Sequence, residues 1–183
     1  VRLVFEAAMF ATVHHDKPNR GKARRGGRGV PYAHHVFDVA GRVVAAGLHD
    51  EEVLCAAILH DIVEDTHATI DDVHTLFGPR VATYVGQLTL PVEIHQDIPK
   101  KLQHQMRMMF EMDWECRAVK IADKSSNVFD LTHDPPGWGI KAIQGYARDA
   151  KGVVDVVRML PDQPAYIVRL IDQFDQAYLK TIR

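Results

Sequence analysis

Apolar residues recur along almost the whole chain at three- and four-residue intervals, the period of an α-helix with one buried face. Leu3, Val4, Ala7, Ala8, Phe10 and Ala11 predict a first helix that ends near His15, ahead of Pro18. A Gly-rich basic stretch runs from there through Gly29, and Pro31 marks the return to structure. A second helix is expected from about His35 to Ala46, stopped by Gly47. Asp50 has the chemistry to cap a third, with Glu51 and Glu52 in its first turn, where negative charge suits the helix dipole. Thr69-Ile-Asp-Asp72 reads as a capping box for a short fourth helix ending at Gly78, and Pro79 opens a fifth. Further helices are expected over about Asp97–Met112 and Trp114–Leu131. Asp134-Pro-Pro-Gly137 is a turn, and two last helices follow. The final one carries Ile167, Leu170, Ile171, Phe174, Tyr178 and Ile182 on one stripe. No segment alternates as a strand would. The pattern predicts an all-α, single-domain bundle of about eight to ten helices spanning residues 1–183.

Composition narrows the class. At 183 residues and 46% hydrophobic content the chain can bury a sizeable core. Its net charge is −2 and its pI near 6.6, which excludes a general nucleic-acid or anionic-membrane binder. Positive charge is nevertheless concentrated. Lys17, Arg20, Lys22, Arg24, Arg25 and Arg28 all fall within the Gly-rich stretch. Cys55 and Cys116 stand apart in sequence and read as reduced core thiols of a cytoplasmic protein. Neither a signal peptide nor a run long enough to span a membrane is visible.

The chemistry concentrates where the pattern is least polar. Val53–Leu59 (VLCAAIL) is the most apolar run, and His-Asp-Ile-Val-Glu-Asp follows at residues 60–65. One imidazole and three carboxylates beside a buried segment are costly unless something compensates their charge, and a divalent cation is the simplest compensation. Read as one helix, His60 and Glu64 share a column and Asp61 and Asp65 the next, so that all four face one volume. His35 at the start of the second helix and Asp123 after the apolar run of the seventh offer a third and fourth ligand element. Two imidazoles with two carboxylates suit Mn²⁺ or Fe²⁺ better than a thiolate zinc site. His34 competes with His35 on spacing alone, and Asp123 has Lys120 and Lys124 as alternative partners. Glu64 and Asp65 have no cation at i+4 and oppose the dipole of their own helix. They read either as an exposed acidic turn or as groups that position and deprotonate water. The loop from Asp16 to Val30 reads either as a solvated tether or as an anion site, with glycines for close backbone approach and Arg24 and Arg25 as phosphate forks.

Taken in order, these residues resemble a family. Arg24-Arg25, Pro31-Tyr32-x-x-His35, Leu59-His60-Asp61-Ile-Val-Glu64-Asp65-Thr66, Phe77-Gly78 with Val81, and Lys120-Ile-Ala-Asp123-Lys-x-x-Asn127 are similar to the HD-type hydrolase domain of RelA/SpoT enzymes. The likeness is greatest to the small stand-alone alarmone hydrolases of the metazoan SpoT-homologue kind. It runs from the first helix to beyond Trp138. The resemblance implies hydrolysis of the 3′-diphosphate of guanosine tetra- and pentaphosphate to GDP or GTP and pyrophosphate, with one Mn²⁺. It implies His35 (chosen over His34 by the Tyr-x-x-His pattern), His60, Asp61 and Asp123 as metal ligands, and Glu64 and Asp65 as the catalytic acidic pair. It also implies Arg24, Arg25, Asn127 and Tyr146 as substrate contacts. Its expected partner is a small-molecule nucleotide, with no nucleic acid or membrane and with oligomeric state open. Adenine alarmones and NADPH losing its 2′-phosphate are the alternative substrates, and a nucleotide sensor without turnover is the non-enzymatic alternative. The chain departs from the family at Arg25, where Lys is usual, and at Val36, where Pro is common. Ser125-Ser126 replaces a bulkier pair and is expected to widen or reshape the nucleoside pocket.

Overall fold

A computed structural model describes residues 1–16, 24–25 and 30–183, with Arg24 and Arg25 described through their backbone alone. Among the described residues there are ten α-helices: α1 (Arg2–Asp16), α2 (Ala33–Ala45), α3 (Glu51–Leu59), α4 (Ile62–Asp65), α5 (Ile70–Phe77), α6 (Pro79–Leu88), α7 (Ile98–Glu111), α8 (Trp114–His133), α9 (Ile140–Arg158) and α10 (Ala165–Thr181). A 3₁₀ turn covers Val92–Ile94. The expected all-α architecture is correct with one small addition. Arg24–Arg25 (β1) and Val30–Pro31 (β2) pair antiparallel, Arg24 opposite Pro31 and Arg25 opposite Val30. Two residues per strand are too few to leave an alternating pattern.

The helix boundaries follow from local chemistry. The Asp50 carboxylate accepts hydrogen bonds from the Glu52 and Val53 amides (2.9 and 3.2 Å) and so caps α3. The Thr69 hydroxyl accepts from the Asp72 amide while the Asp72 carboxylate accepts from the Thr69 amide, completing the capping box of α5. Gly47 ends α2 with φ at +90°. Its amide donates to the Val44 carbonyl and the Leu48 amide to the Val43 carbonyl, the paired bonds of a Schellman close. A Cβ at Gly47 would lie 2.8 Å from an Arg169 guanidinium nitrogen, and Arg169 Nε donates to the Ala46 carbonyl, tying α10 to the end of α2.

Helix α8 is the axis of the molecule, packed against α2, α3, α6, α9 and α10. The stripe of α10 lies along it, with Ile167, Leu170, Ile171 and Phe174 buried. Helix α3 buries Val53 and Cys55 through Leu59 between α1, α2 and α6. Cys55 and Cys116 are both buried free thiols, and burial followed by the nearby Glu51 charge pushes Cys55 up to about 12. No described helix is long and apolar enough to cross a membrane. The interior of α8 is unusual in burying Lys120, Asp123, Lys124, Ser125 and Ser126 among its apolar residues. Within that stretch Asp123 faces His60, just beyond the end of α3.

Candidate functional site

The continuous helix expected across residues 53–65 breaks after Leu59. His60 and Asp61 lie between α3 and the single-turn α4, with Asp61 at φ −102° and ψ 1°. The His60 side chain folds back so that Nδ1–H donates to the Ala57 carbonyl at 2.8 Å, taking up a group that a longer helix would have satisfied. Thr66 ends α4 in extended backbone, its hydroxyl donating to the Ile62 carbonyl at 2.6 Å. The two-column arrangement is kept only in part: the Asp65 amide still donates to the Asp61 carbonyl at 3.0 Å, one helical turn on, but Asp65 does not reach the cavity that Asp61 and Glu64 line.

What the break achieves is convergence. His35, His60 and Asp123, from three separate segments, place one ligand atom each within 4.8 Å of one another, all buried. His35 Nε2 lies 3.4 Å and His60 Nε2 3.8 Å from Asp123 Oδ1. Asp61 joins at the edge, its Oδ2 3.2 Å from His60 Nε2 and 3.8 Å from His35 Nε2. The Tyr32 hydroxyl donates to that same Asp61 oxygen. A carbonyl can only accept, so the Ala57 bond puts the proton of a neutral His60 on Nδ1 and leaves the Nε2 lone pair aimed at the cluster. His60 Nε2 is buried with no hydrogen-bond partner. A buried lone pair facing two carboxylates is what a divalent cation would satisfy, and the mixed N/O donors fit one.

The electrostatics agree. Burial opposes charging of His60, but the charge of Asp61, 3.2 Å away, and then that of Asp123 outweigh it and raise its pKa above 6.5. Burial likewise opposes ionisation of Asp123, but Lys124, His35, Lys120 and His60 together hold it well below its ordinary value. Lys124 Nζ lies 3.5 Å from Asp123 Oδ2, so Asp123 meets both the imidazoles and its lysine neighbour.

A cavity of about 370 Å³ opens beside this cluster. Asp61, Glu64, Asp123, Asn127 and Tyr146 line it, together with Tyr32, His95, Lys101, Lys120, Lys124 and Trp138. Glu64 is buried rather than part of an exposed turn, and its Oε1 accepts from the Leu90 amide at 2.8 Å. Asp65 is buried too, but it does not line the cavity, so the acidic pair is split between the cavity wall and the interior behind it. Asn127 donates to the Asp123 carbonyl and to Asp123 Oδ1 (2.9 and 2.5 Å). The rings of Trp138 and Tyr146 lie 6.0 Å apart at an angle of 52°. The side chains of Arg24 and Arg25, and the glycines of the same loop, lie outside the described residues.

Ser125 and Ser126 overturn the expectation placed on them. Neither lines the cavity. Both are buried on the α2 side of α8, where Ser125 Oγ accepts from Arg42 at 3.0 Å and Ser126 Oγ lies 3.0 Å from His35 Nδ1. Both side chains therefore face α2 and His35 rather than the cavity. Lys120 and Lys124 are site groups that the sequence reading left as ion-pair partners. Lys120, Asp123, Lys124 and Asn127 fall at i, i+3, i+4 and i+7 of one helix, a signal that was available. His95 and Lys101 come from separate elements and left no such signal.

Residues 7–149 match the HD domain family. The chain belongs to that family. Among relatives of this HD domain protein, guanosine-3′,5′-bis(diphosphate) 3′-pyrophosphohydrolase MESH1 of Drosophila melanogaster is 37% identical over 155 residues, covering 84% of this chain and 83% of its own. The Homo sapiens MESH1 protein is 36% identical over 154 residues, 82% of each chain. The solved structure of a metazoan ortholog of SpoT that hydrolyses ppGpp superimposes with a TM-score of 0.82 at 31% identity, over 96% of both chains. The HD domain of this protein is thus matched in length as well as in fold.

Proposed function

We propose that this HD domain protein is a metal-dependent guanosine-3′,5′-bis(diphosphate) 3′-pyrophosphohydrolase, active as a single domain on a small nucleotide in the cytoplasm. The observation that carries the reading is the buried His35–His60–Asp123 cluster, with Asp61 at its edge, opening onto a cavity that also holds Glu64 and three lysines. His35, His60, Asp61 and Asp123 would hold the cation, for which Mn²⁺ is our choice. A bound divalent cation supplies Lewis-acid polarisation of a phosphoryl oxygen and makes water more acidic.

The remaining chemistry belongs to the side chains. Glu64, its Oε1 fixed by the Leu90 amide, accepts the proton of the attacking water at Oε2. Asp65 supports it from the interior. Water oxygen forms a bond to the phosphorus attached to the ribose 3′-oxygen; the bond to that 3′-oxygen breaks, the oxygen keeps the electron pair, and it takes up the proton that the attacking water gave to Glu64. The nucleoside keeps its 5′-diphosphate as GDP, and the 3′ group leaves as pyrophosphate. Lys101, Lys120 and Lys124 offset the charge of the diphosphate, and we assign Arg24 and Arg25 to it as further phosphate contacts. Trp138 and Tyr146 offer ring faces to the base, and Asn127 keeps Asp123 in register while facing the substrate.

A substrate panel tests this. With Mn²⁺, the protein should release pyrophosphate from guanosine 3′,5′-bis(diphosphate) with a higher kcat/KM than it shows on the adenine analogue or on NADPH. Tight binding of all three nucleotides without turnover would overturn the enzymatic reading and leave a sensor.

A further inference from the structure

Helix α1 buries one face and exposes an apolar stripe on the other. Ala7, Ala11 and His15 pack inward, while Phe5, Met9 and Val13 are 66%, 71% and 64% exposed. At the α-helical rotation these three lie within about 80° of one another. Phe37 of α2, 41% exposed, joins them along a shallow apolar groove. Isolated exposed apolar residues are ordinary; a contiguous stripe on a helix face marks a contact surface.

The ends of the stripe say what covers it. Arg2 and Asp16 sit on the same face, each within about 20° of Met9 around the helix. Arg2 lies seven residues before Met9 and Asp16 seven after, while Phe5 and Val13 lie four to either side. The face is therefore complementary to its own copy turned end for end. Around a two-fold axis at Met9, Phe5 meets Val13 of the second copy, Met9 meets Met9, and Arg2 meets Asp16 at both ends. A parallel pairing would instead oppose Arg2 to Arg2. Arg2 bonds Glu6 within its own helix through Nε (2.7 Å), yet its side chain remains 91% exposed.

We infer that the protein self-associates through α1, as an antiparallel two-fold dimer centred on Met9. Such an interface is isologous and closes on itself. One helix face with Phe37 is small beside a standard interface of about 1,600 Å² in total, so the association is weak and concentration-dependent. The cation–carboxylate ends set direction more than strength.

Sedimentation equilibrium across a concentration series, with three sets of variants, tests the inference. Wild-type protein should show a reversible monomer–dimer equilibrium, and Met9→Glu should remove it while leaving the thermal unfolding midpoint unchanged at concentrations where both proteins are monomeric, because Met9 is exposed. Arg2→Glu and Asp16→Arg should each weaken the dimer, and the two together should restore it. Met9→Cys should form a disulfide-linked dimer on mild oxidation, since Met9 meets itself and the native Cys55 and Cys116 are buried. A monomer at every concentration overturns the inference. So does a dimer indifferent to Met9→Glu, or a charge-swapped double variant weaker than both single ones.

Discussion

Helix α8 and the junction between α3 and α4 bring polar groups to the same point by opposite means. Helix α8 runs unbroken for 20 residues and carries Lys120, Asp123, Lys124 and Asn127 on one stripe of an otherwise packed rod. The α3 helix stops, and its two following residues, His60 and Asp61, are delivered by the break itself. An intact helix can supply a donor only at its own period. A break supplies two adjacent residues to one volume, with the freed Ala57 carbonyl used to fix the His60 tautomer. The pair of strategies lets three chain segments converge although no one of them could provide the ligand set.

The largest effect expected from breaking this comparison lies at the convergence point. His60→Ala and Asp123→Asn should each abolish tight Mn²⁺ binding and lower turnover roughly 10³-fold or more, the scale of losing several kcal/mol of charge stabilisation. Far-ultraviolet circular dichroism should show that α8 stays helical in the second variant. Equal Mn²⁺ affinity in variant and wild type, measured by calorimetry, would remove these residues from the ligand set.

Next come the two halves of the acidic pair, which α4 separates. Glu64→Gln keeps the oxygen that accepts from Leu90 but cannot take a proton, so kcat should fall roughly 10²–10⁴-fold with Mn²⁺ still bound. Asp65→Asn, behind the cavity wall, should fall less. Steady-state kinetics that rank Asp65 above Glu64 would reverse the roles assigned to them.

On the α8 side, Ser126 sharpens the picture. It lies 3.0 Å from His35 Nδ1, so Ser126→Ala should reduce Mn²⁺ affinity roughly 10–100-fold, with little change in kcat at saturating metal. An unchanged affinity would make the serine a packing residue only.

A smaller effect concerns pH. In the metal-free protein His60 titrates above its ordinary 6.5, because Asp61 and Asp123 outweigh the opposing burial. A histidine raised in the folded state stabilises the fold fully below its unfolded value, and that stability is lost as pH climbs through the folded value. Metal-free Tm should therefore fall as pH rises from about 6 to about 8. The Tm gain on adding Mn²⁺ should grow over the same range if His60 holds the ion, since only the neutral ring can coordinate. A gain that shrinks with pH would contradict the His60 assignment. Smallest of all, Thr69→Ala removes the α5 capping box and should cost about 1 kcal/mol in denaturant unfolding without altering turnover, because that helix supplies nothing to the site.

The contrast between the two regions also explains what could be read from the chain alone. Caps are local, so Asp50, the Thr69–Asp72 box, Gly78-Pro79 and the α10 stripe were all legible. Asp123 was legible because α8 keeps its period. The 60–65 segment has helical composition on both sides of its break, and the bond from the His60 ring to the Ala57 carbonyl, three residues back, leaves no mark in the apolar pattern. His60 does join His35 and Asp123 in one cluster, but the single volume expected for all four residues does not include Asp65. Ser125 and Ser126 were misplaced for a related reason: sequence shows a change of size but not which side of α8 it faces. His95 and Lys101 reach the cavity through tertiary packing and had no local pattern to announce them.

The central claim is that turnover of the 3′-diphosphate depends on one cation held at His35, His60, Asp61 and Asp123. Its most direct test is a titration of chelator-treated protein with Mn²⁺, following bound metal and pyrophosphate release from guanosine 3′,5′-bis(diphosphate) in the same samples. The account predicts that the two curves rise together and level off at about one ion per chain, and that His60→Ala flattens both. Full-rate release by the chelator-treated protein, or a rate that climbs while the site stays empty, would contradict it.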